Sequence, residues 1–318
     1  MSHAAHPMPT REAIVATAGE SIGRGSKSFA AASRLFARRE RERAWLLYAW
    51  CRACDDLADG QEDGHGMAAV ADPQARLDAI RVRTQAALDG EWVGDAAFDA
   101  LRIVVAETGM PHRLVWDVVE GFALDAAGWQ PEDEAGLLQY CYHVAGAVGC
   151  MMAVAMGVNP RDAAVLDRAC DLGLAFQLAN IARDIGEDAG AGRCYLPGDW
   201  LADAEIDRGA VMADPTKLAM LATRLAGRAE EYEASARGGT PALGLRSAWA
   251  VLAAAGIYGD IARAVAARGA RAWDRRVSTG KAAKLGWIAR ALGQAVRRRD
   301  LYRAAPRPAH LWTRPRAD

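Results

Sequence analysis

Apolar residues recur along most of this chain at steps of three and four rather than by alternation, so the pattern is helical nearly throughout. The spacing predicts helices over 11–23, 45–59, 73–88, 96–109, 112–124, 135–156, 162–188, 215–235, 243–267 and 282–302, and almost no strand. Punctuation falls between them: Gly23 to Gly25, the loop GQEDGHG from Gly60, Gly109 with Pro111, GWQPEDEAG, and GAGRCYLP. His65, in the first of these loops, is read as solvent-facing. Within YCYHVAGAVG, Gly146 and Gly149 sit mid-helix among apolar residues, each at about 1 kcal/mol in helix propensity. A kink, or something pressed against the backbone, explains them better than chance.

Two polar stripes interrupt this apolar pattern. In WLLYAWCRACDDLADG, Tyr48, Arg52, Asp55 and Asp59 follow at steps of four, three and four and share a helix face. In QLANIARDIGED, Gln177, Asn180, Asp184 and Asp188 do the same at steps of three, four and four. Unpaired carboxylates among Ala, Leu and Ile would cost several kcal/mol or take up a proton, so something must compensate for them. Oxygen-only donors suit a hard divalent cation such as magnesium, which keeps waters and takes further oxygens from a phosphate. The joint reading is a metal-bridged diphosphate site; the bland reading of either box alone is a solvated acidic face.

Smaller signals are compatible with that site. Ser26, Lys27 and Ser28 at a helix start are a cap or a phosphate cradle. GAGRCYLP offers Arg193 and Tyr195 close to the second stripe. Tyr140, Tyr142 and His143 read as core or cavity wall.

At 318 residues and 52% hydrophobic the chain can bury a large core, and its formal charge of -1 gives no reason to expect nucleic acid as a partner. Charge is uneven, however: from Ile261 to Asp318 fifteen Lys or Arg face three Asp, a net of +12, leaving -13 for the rest. The six cysteines have no disulfide-scaffold spacing, and Cys51 and Cys54 lack the further ligands a metal site needs. No opening segment reads as a secretion signal and no eighteen consecutive residues are apolar, so the expectation is a cytoplasmic protein with reduced thiols.

GSKSF at Gly25, YAWCRACDDLAD at Tyr48, YCYHVAGAVG at Tyr140, QLANIARDIGED at Gln177 and GRCYLP at Gly192 occur in the order found in the squalene and phytoene synthase family of head-to-head prenyl transferases. The chain closely resembles its bacterial phytoene-forming members from about Ser21 to about Tyr302. That resemblance implies an all-α isoprenoid synthase fold with helices around a central cavity. It implies a magnesium-dependent reaction, with manganese as a stand-in and no NADPH. Two geranylgeranyl diphosphates would condense to prephytoene diphosphate and rearrange to phytoene. By family match, Asp55 and Asp59 hold metal at one diphosphate and Asn180, Asp184 and Asp188 at the other, with Gln177 beside them. Ser26, Lys27, Ser28, Arg52, Arg183, Arg193 and Arg276 hold diphosphate oxygens. Tyr48, Tyr140, Tyr195 and Tyr258 surround the reacting carbons. The implied organisation is a leader and first helix over 1–20, one catalytic domain over 21–303, and a flexible tail over 304–318.

The runner-up within this chemistry is a squalene or dehydrosqualene synthase acting on farnesyl diphosphate, with Val148, Met151, Met152 and Phe176 as candidates for the cavity floor. Squalene formation needs a reductant, and no GxGxxG follows a strand. A remote alternative is a non-catalytic, lipid-associated helical protein on the same fold. The last predicted helix sets Leu285, Ile288, Leu292 and Val296 on one stripe, with Lys284, Arg290, Arg297 and Arg298 away from its centre. That stripe packs either into the core or, with its cations, against an anionic membrane surface.

Overall fold

The computed structural model describes residues 8–25, 30, 32–59, 72–302 and 306–316, except for the side chain of Asp59. Ser26, Lys27, Ser28 and the loop from Gly60 with His65 lie outside the described residues. Helices make up the described chain, with no strand among the described residues. The chain divides into two compact units, Met1–His112 and Arg113–Asp318, a boundary inside the stretch expected as one domain.

The first unit holds α1 (Arg11–Gly25), α2 (Arg38–Asp59), α3 (Pro73–Leu88) and α4 (Ala96–Thr108). Leu46, Leu47, Trp50 and Cys54 bury one face of α2. Glu107 of α4 accepts from Arg11 of α1 and, at 3.0 Å, from Arg43 of α2, so one carboxylate ties three helices. The second unit holds α5 (His112–Ala126), α6 (Glu134–Cys141), a π-helical turn (Tyr142–Gly146), α7 (Ala147–Ala155), α8 (Ala163–Gly190), α9 (Gly198–Asp203), α10 (Pro215–Arg237), α11 (Leu245–Arg268), α12 (Lys281–Val296) and α13 (Arg298–Leu301). Aspartates start many of these helices. Asp72, Asp95, Asp133, Asp162 and Asp214 each accept a backbone N–H of the first turn, and Pro73 and Pro215 follow two of them.

The segment expected as one helix over 135–156 contains the π turn at Tyr142–Gly146, so the kink is there. The glycines also have the second explanation. A Cβ on Gly149 would lie 2.5 Å from the Ala169 carbonyl oxygen, and one on Gly173 would lie 2.3 Å from that of Ala145. The backbones of the π-turn–α7 segment and of α8 therefore meet directly, which only glycine allows.

Two stretches, Glu134–Ala155 and Leu245–Arg271, have the length and mean hydropathy of a bilayer span, but 67% and 50% of their apolar windows are buried within the protein. The C-terminal residues 306–316 correct the expectation of a loose tail. Arg307 makes a two-pronged pair with the fully buried Asp171, Arg314 and Arg316 both reach Asp167, and Leu311 is buried. The basic residues expected to dangle are counter-ions for two carboxylates of α8.

Candidate active site

Each acidic box is built on its own unit. On α2, Arg52 lies 3.6 Å from Asp55 and 3.7 Å from Asp56, so the stripe read from the sequence gains Asp56 as a further carboxylate. Asp55 is the more exposed of the two, at 42% against 20%. Tyr48 shares this face, and burial lifts its phenol above the ordinary value while Arg52 opposes the shift. A Cβ on Gly25 would lie 2.5 Å from the Tyr48 hydroxyl oxygen, so the end of α1 closes on that group immediately before Ser26. Cys54 behind them is buried and its thiol is pushed up by desolvation, which fits core packing.

The second box lies on α8. Asn180 donates to Gln177 at 3.4 Å, and Arg183 donates to its neighbour Asp184 at 2.7 Å. Arg276, from the segment after α11, reaches the same carboxylate at 3.0 Å and also pairs with Glu187. Arg276, which the resemblance implies as a diphosphate contact, thus reaches the second box, together with Glu187, which the sequence reading does not name. Asp188 is pushed up to about 6 by burial and by Asp184, with Arg193 opposing the shift. Arg193 therefore stands near the box, as its loop position suggests.

Aromatic rings form the neighbouring wall. Tyr140 and Tyr195 stack with centroids 4.9 Å apart, and Trp129 stacks on Tyr140 at 5.6 Å. Both hydroxyls donate to Asp125 of α5, Tyr140 at 3.0 Å and Tyr195 at 3.2 Å. Burial together with Asp125 raises both phenols, Tyr195 to about 12 and Tyr140 further. Phe176 and Tyr258 stack at 4.2 Å beside Ala175, Ala179 and Ala255. Asp125 escaped the sequence reading because one carboxylate at the end of an apolar helix looks like a surface residue. Its partners lie 15 and 70 residues away. Tyr142 and His143 point elsewhere, to the Asp117 side chain and carbonyl at 2.5 and 2.8 Å, as structural groups.

Among the described residues no three carboxylate, His or Cys side chains come close enough to enclose a metal by themselves. The donors suit magnesium held partly by substrate, since that ion binds through one or two carboxylates with phosphate and water completing its shell. The raised Asp188 carboxyl is what a nearby cation would reverse.

The sequence profile of the family described as squalene/phytoene synthase matches residues 22–283. The chain belongs to this family. Among relatives, it is 47% identical to the 15-cis-phytoene synthase of Paracoccus sp. over 95% of this chain and 98% of that one. It is 45% identical to the phytoene synthase of Pseudescherichia vulneris, over 94% and 97% of the two chains, and 45% identical to the 15-cis-phytoene synthase of Pantoea ananas, over 93% and 96%. Among solved structures, a ligand-bound dehydrosqualene synthase superposes with a TM-score of 0.79 at 27% identity, covering 89% of this chain and 96% of that one. The squalene synthase HpnC from Alicyclobacillus acidocaldarius shares the fold at a TM-score of 0.72 and 21% identity, over 81% and 95%. These neighbours bear out the all-α isoprenoid synthase fold of the family.

Proposed function

We propose that this chain is a 15-cis-phytoene synthase, a prenyl transferase that joins two geranylgeranyl diphosphates head to head through prephytoene diphosphate in carotenoid biosynthesis. The observation that carries the reading is 45–47% identity, along more than nine-tenths of the chain, to bacterial proteins of that activity. Two diphosphates and two protons leave, and no electrons are exchanged, so NADPH has no role.

Asp55 and Asp59 would hold magnesium for one diphosphate, and Asn180, Asp184 and Asp188 for the other. When bound, the ion supplies positive charge that stabilises a departing diphosphate. Arg52, Arg183, Arg193 and Arg276 add fixed cations near the two boxes, so charge developing on the leaving group meets donors already in place. Ser26, Lys27 and Ser28, which follow Gly25 in the sequence, are proposed as further diphosphate contacts. Tyr195, stacked on the buried Tyr140, would offer an aromatic face to an allylic cation. Asp125 accepts from both hydroxyls and so fixes the orientation of the two rings. Phe176, Tyr258 and the adjacent alanines supply an apolar, water-poor wall, without which water would quench the cation to an alcohol. Cytoplasmic residence, with contact to the membrane that receives an insoluble product, completes the reading.

Incubation with the fifteen- and twenty-carbon diphosphates, with and without NADPH and with and without a magnesium chelator, followed by chromatography and mass analysis, tests it. The expected result is a forty-carbon triene core product from geranylgeranyl diphosphate without NADPH, abolished by chelation. A thirty-carbon product alone would move the chain to the farnesyl-using branch, and undiminished product after confirmed metal removal would refute the metal assignment.

A further inference from the structure

Helix α12 is turned the opposite way from its simplest sequence reading. The stripe of large apolar residues faces out: Leu285 is 67% exposed, Val296 62% and Leu292 40%. The helix packs inward through small residues, Ala291 and Ala295, and through Trp287, whose ring lies over Gly256 of α11 where a Cβ would stand 2.1 Å away. The Trp287 indole N–H donates to Asp260 at 2.5 Å, and Trp249 donates to the Ile288 carbonyl at 2.7 Å. Those contacts hold the outward orientation in place. A helix normally buries its largest apolar side chains; leaving Leu285, Leu292 and Val296 in water forgoes that gain.

The exposed stripe is edged by cations. Lys281, Arg290, Arg297 and Arg299 are exposed, and the segment from Lys281 to Tyr302 contains six Lys or Arg against one acid, Asp300. Arg298 is an exception in direction, since it turns inward to the carbonyls of Ala295 and Leu243. An apolar stripe bordered by basic residues matches the boundary of an anionic bilayer, where acyl chains meet phosphates. It fits a second copy of this chain poorly, because two-fold pairing through this face would bring the same cations together.

We propose that α12 docks this protein onto anionic lipid, with Leu285, Leu292 and Val296 inserted at the acyl boundary and Lys281, Arg297 and Arg299 on the head groups. The proposal rests on the outward stripe and its charge, and it deepens the prenyl-lipid reading without depending on it. The opposite side of α12 backs onto α11, the helix that carries Tyr258 of the apolar wall, so a docked enzyme would hold that wall one helix from the lipid.

Flotation of the full chain with vesicles of phosphatidylglycerol and phosphatidylcholine, compared with phosphatidylcholine alone, tests the surface independently of turnover. Wild-type protein is expected to float with the anionic vesicles at 50 mM salt and to detach progressively as salt is raised. Each cation near the surface contributes roughly fivefold in partitioning. Replacing Lys281, Arg297 and Arg299 with Gln should therefore weaken anionic binding at least tenfold. Replacing Leu285, Leu292 and Val296 with Ser should weaken it at least tenfold with unchanged circular dichroism, since these side chains are already in water. Failure of wild type to float, undiminished flotation of the Ser variant, or a wild-type dimer that the Ser variant converts to monomer would each overturn the proposal. Flotation without phytoene formation would leave this surface standing and remove the activity reading alone.

Discussion

Arg276 lies 3.0 Å from one carboxylate oxygen of Asp184 and 3.1 Å from the other, from 92 residues further along the chain. Arg183 grips the same carboxylate. The second acidic box is thus charge-paired by the protein itself, and the positive groups needed for a departing diphosphate are already at the carboxylate that would bind the metal.

Removing either box should therefore abolish catalysis and spare the fold. Asp184→Asn and Asp55→Ala are each expected to lower turnover at least about 100-fold. The guanidinium groups left behind can reach solvent, as half-exposed Arg276 does, or another acid, as Arg52 does with Asp56. Stability should fall by about 1 kcal/mol, a few degrees in Tm. Diphosphate release and thermal melting are the measurements; near-wild-type rates from folded protein would remove these residues from the site.

Asp188 gives a dependence on pH. Its folded value of about 6 lies above the ordinary 3.8 because burial and Asp184 disfavour the anion. A carboxyl raised on folding binds more protons folded than unfolded between those values, so stability falls as pH rises from about 4 to 6 and stays reduced above. The displacement corresponds to roughly 3 kcal/mol at most, reduced to about 1–2 kcal/mol by solvent reaching the group. Asp188→Asn should accordingly be more stable than wild type by that amount at pH 7.5 in chelator, with the difference vanishing near pH 4. Urea unfolding at the two pH values measures it; a destabilised variant at pH 7.5 would contradict the assignment.

The close approach around α8 predicts a steep penalty for one methyl group. In Gly173→Ala the added Cβ would stand 2.3 Å from the Ala145 carbonyl oxygen and 2.7 Å from Gly146 Cα, both backbone atoms. Overpacking against backbone should cost about 2–3 kcal/mol or more. Gly227, where nothing lies within 4 Å of an added Cβ, is the control, and Gly227→Ala should be neutral or slightly stabilising. Equal denaturation midpoints for the two variants would refute the packing account.

Asp125 is expected to act through Tyr140 and Tyr195. Asp125→Ala frees both hydroxyls and should lower kcat by about 10- to 100-fold, with a smaller change in KM, because ring placement matters most when the cation forms. Asp125→Asn keeps one acceptor and should recover part of the loss. A merely structural role would instead move Tm in both variants and leave the ratio of kcat to KM effects unchanged.

Much of the site was legible because a helix converts spacing into direction. Steps of three and four place Asp55 with Arg52, and Asp184 with Asp188, and Gly- and Pro-bearing loops mark the breaks between helices. Asp125 was not legible: its meaning comes from two tyrosines brought to it by other segments, and nothing local distinguishes it from a surface acid. The order in the tail is hidden from the sequence for a related reason. Arg307, Arg314 and Arg316 resemble a solvated basic end until Asp171 and Asp167 are seen buried behind them.

The sequence by itself determined the helical architecture, the two oxygen-rich stripes and the family, because each is written in local periodicity or in ordered motifs. Only the tertiary structure decided which side of α12 meets water. Amphipathic spacing defines two faces of a helix without saying which one is buried, and here Trp287 seated on Gly256 turned Leu285, Leu292 and Val296 outward. In the same way Gly146 and Gly149 announced a close contact, while its partner, the backbone of α8 at Ala169 and Gly173, depended on how distant segments pack.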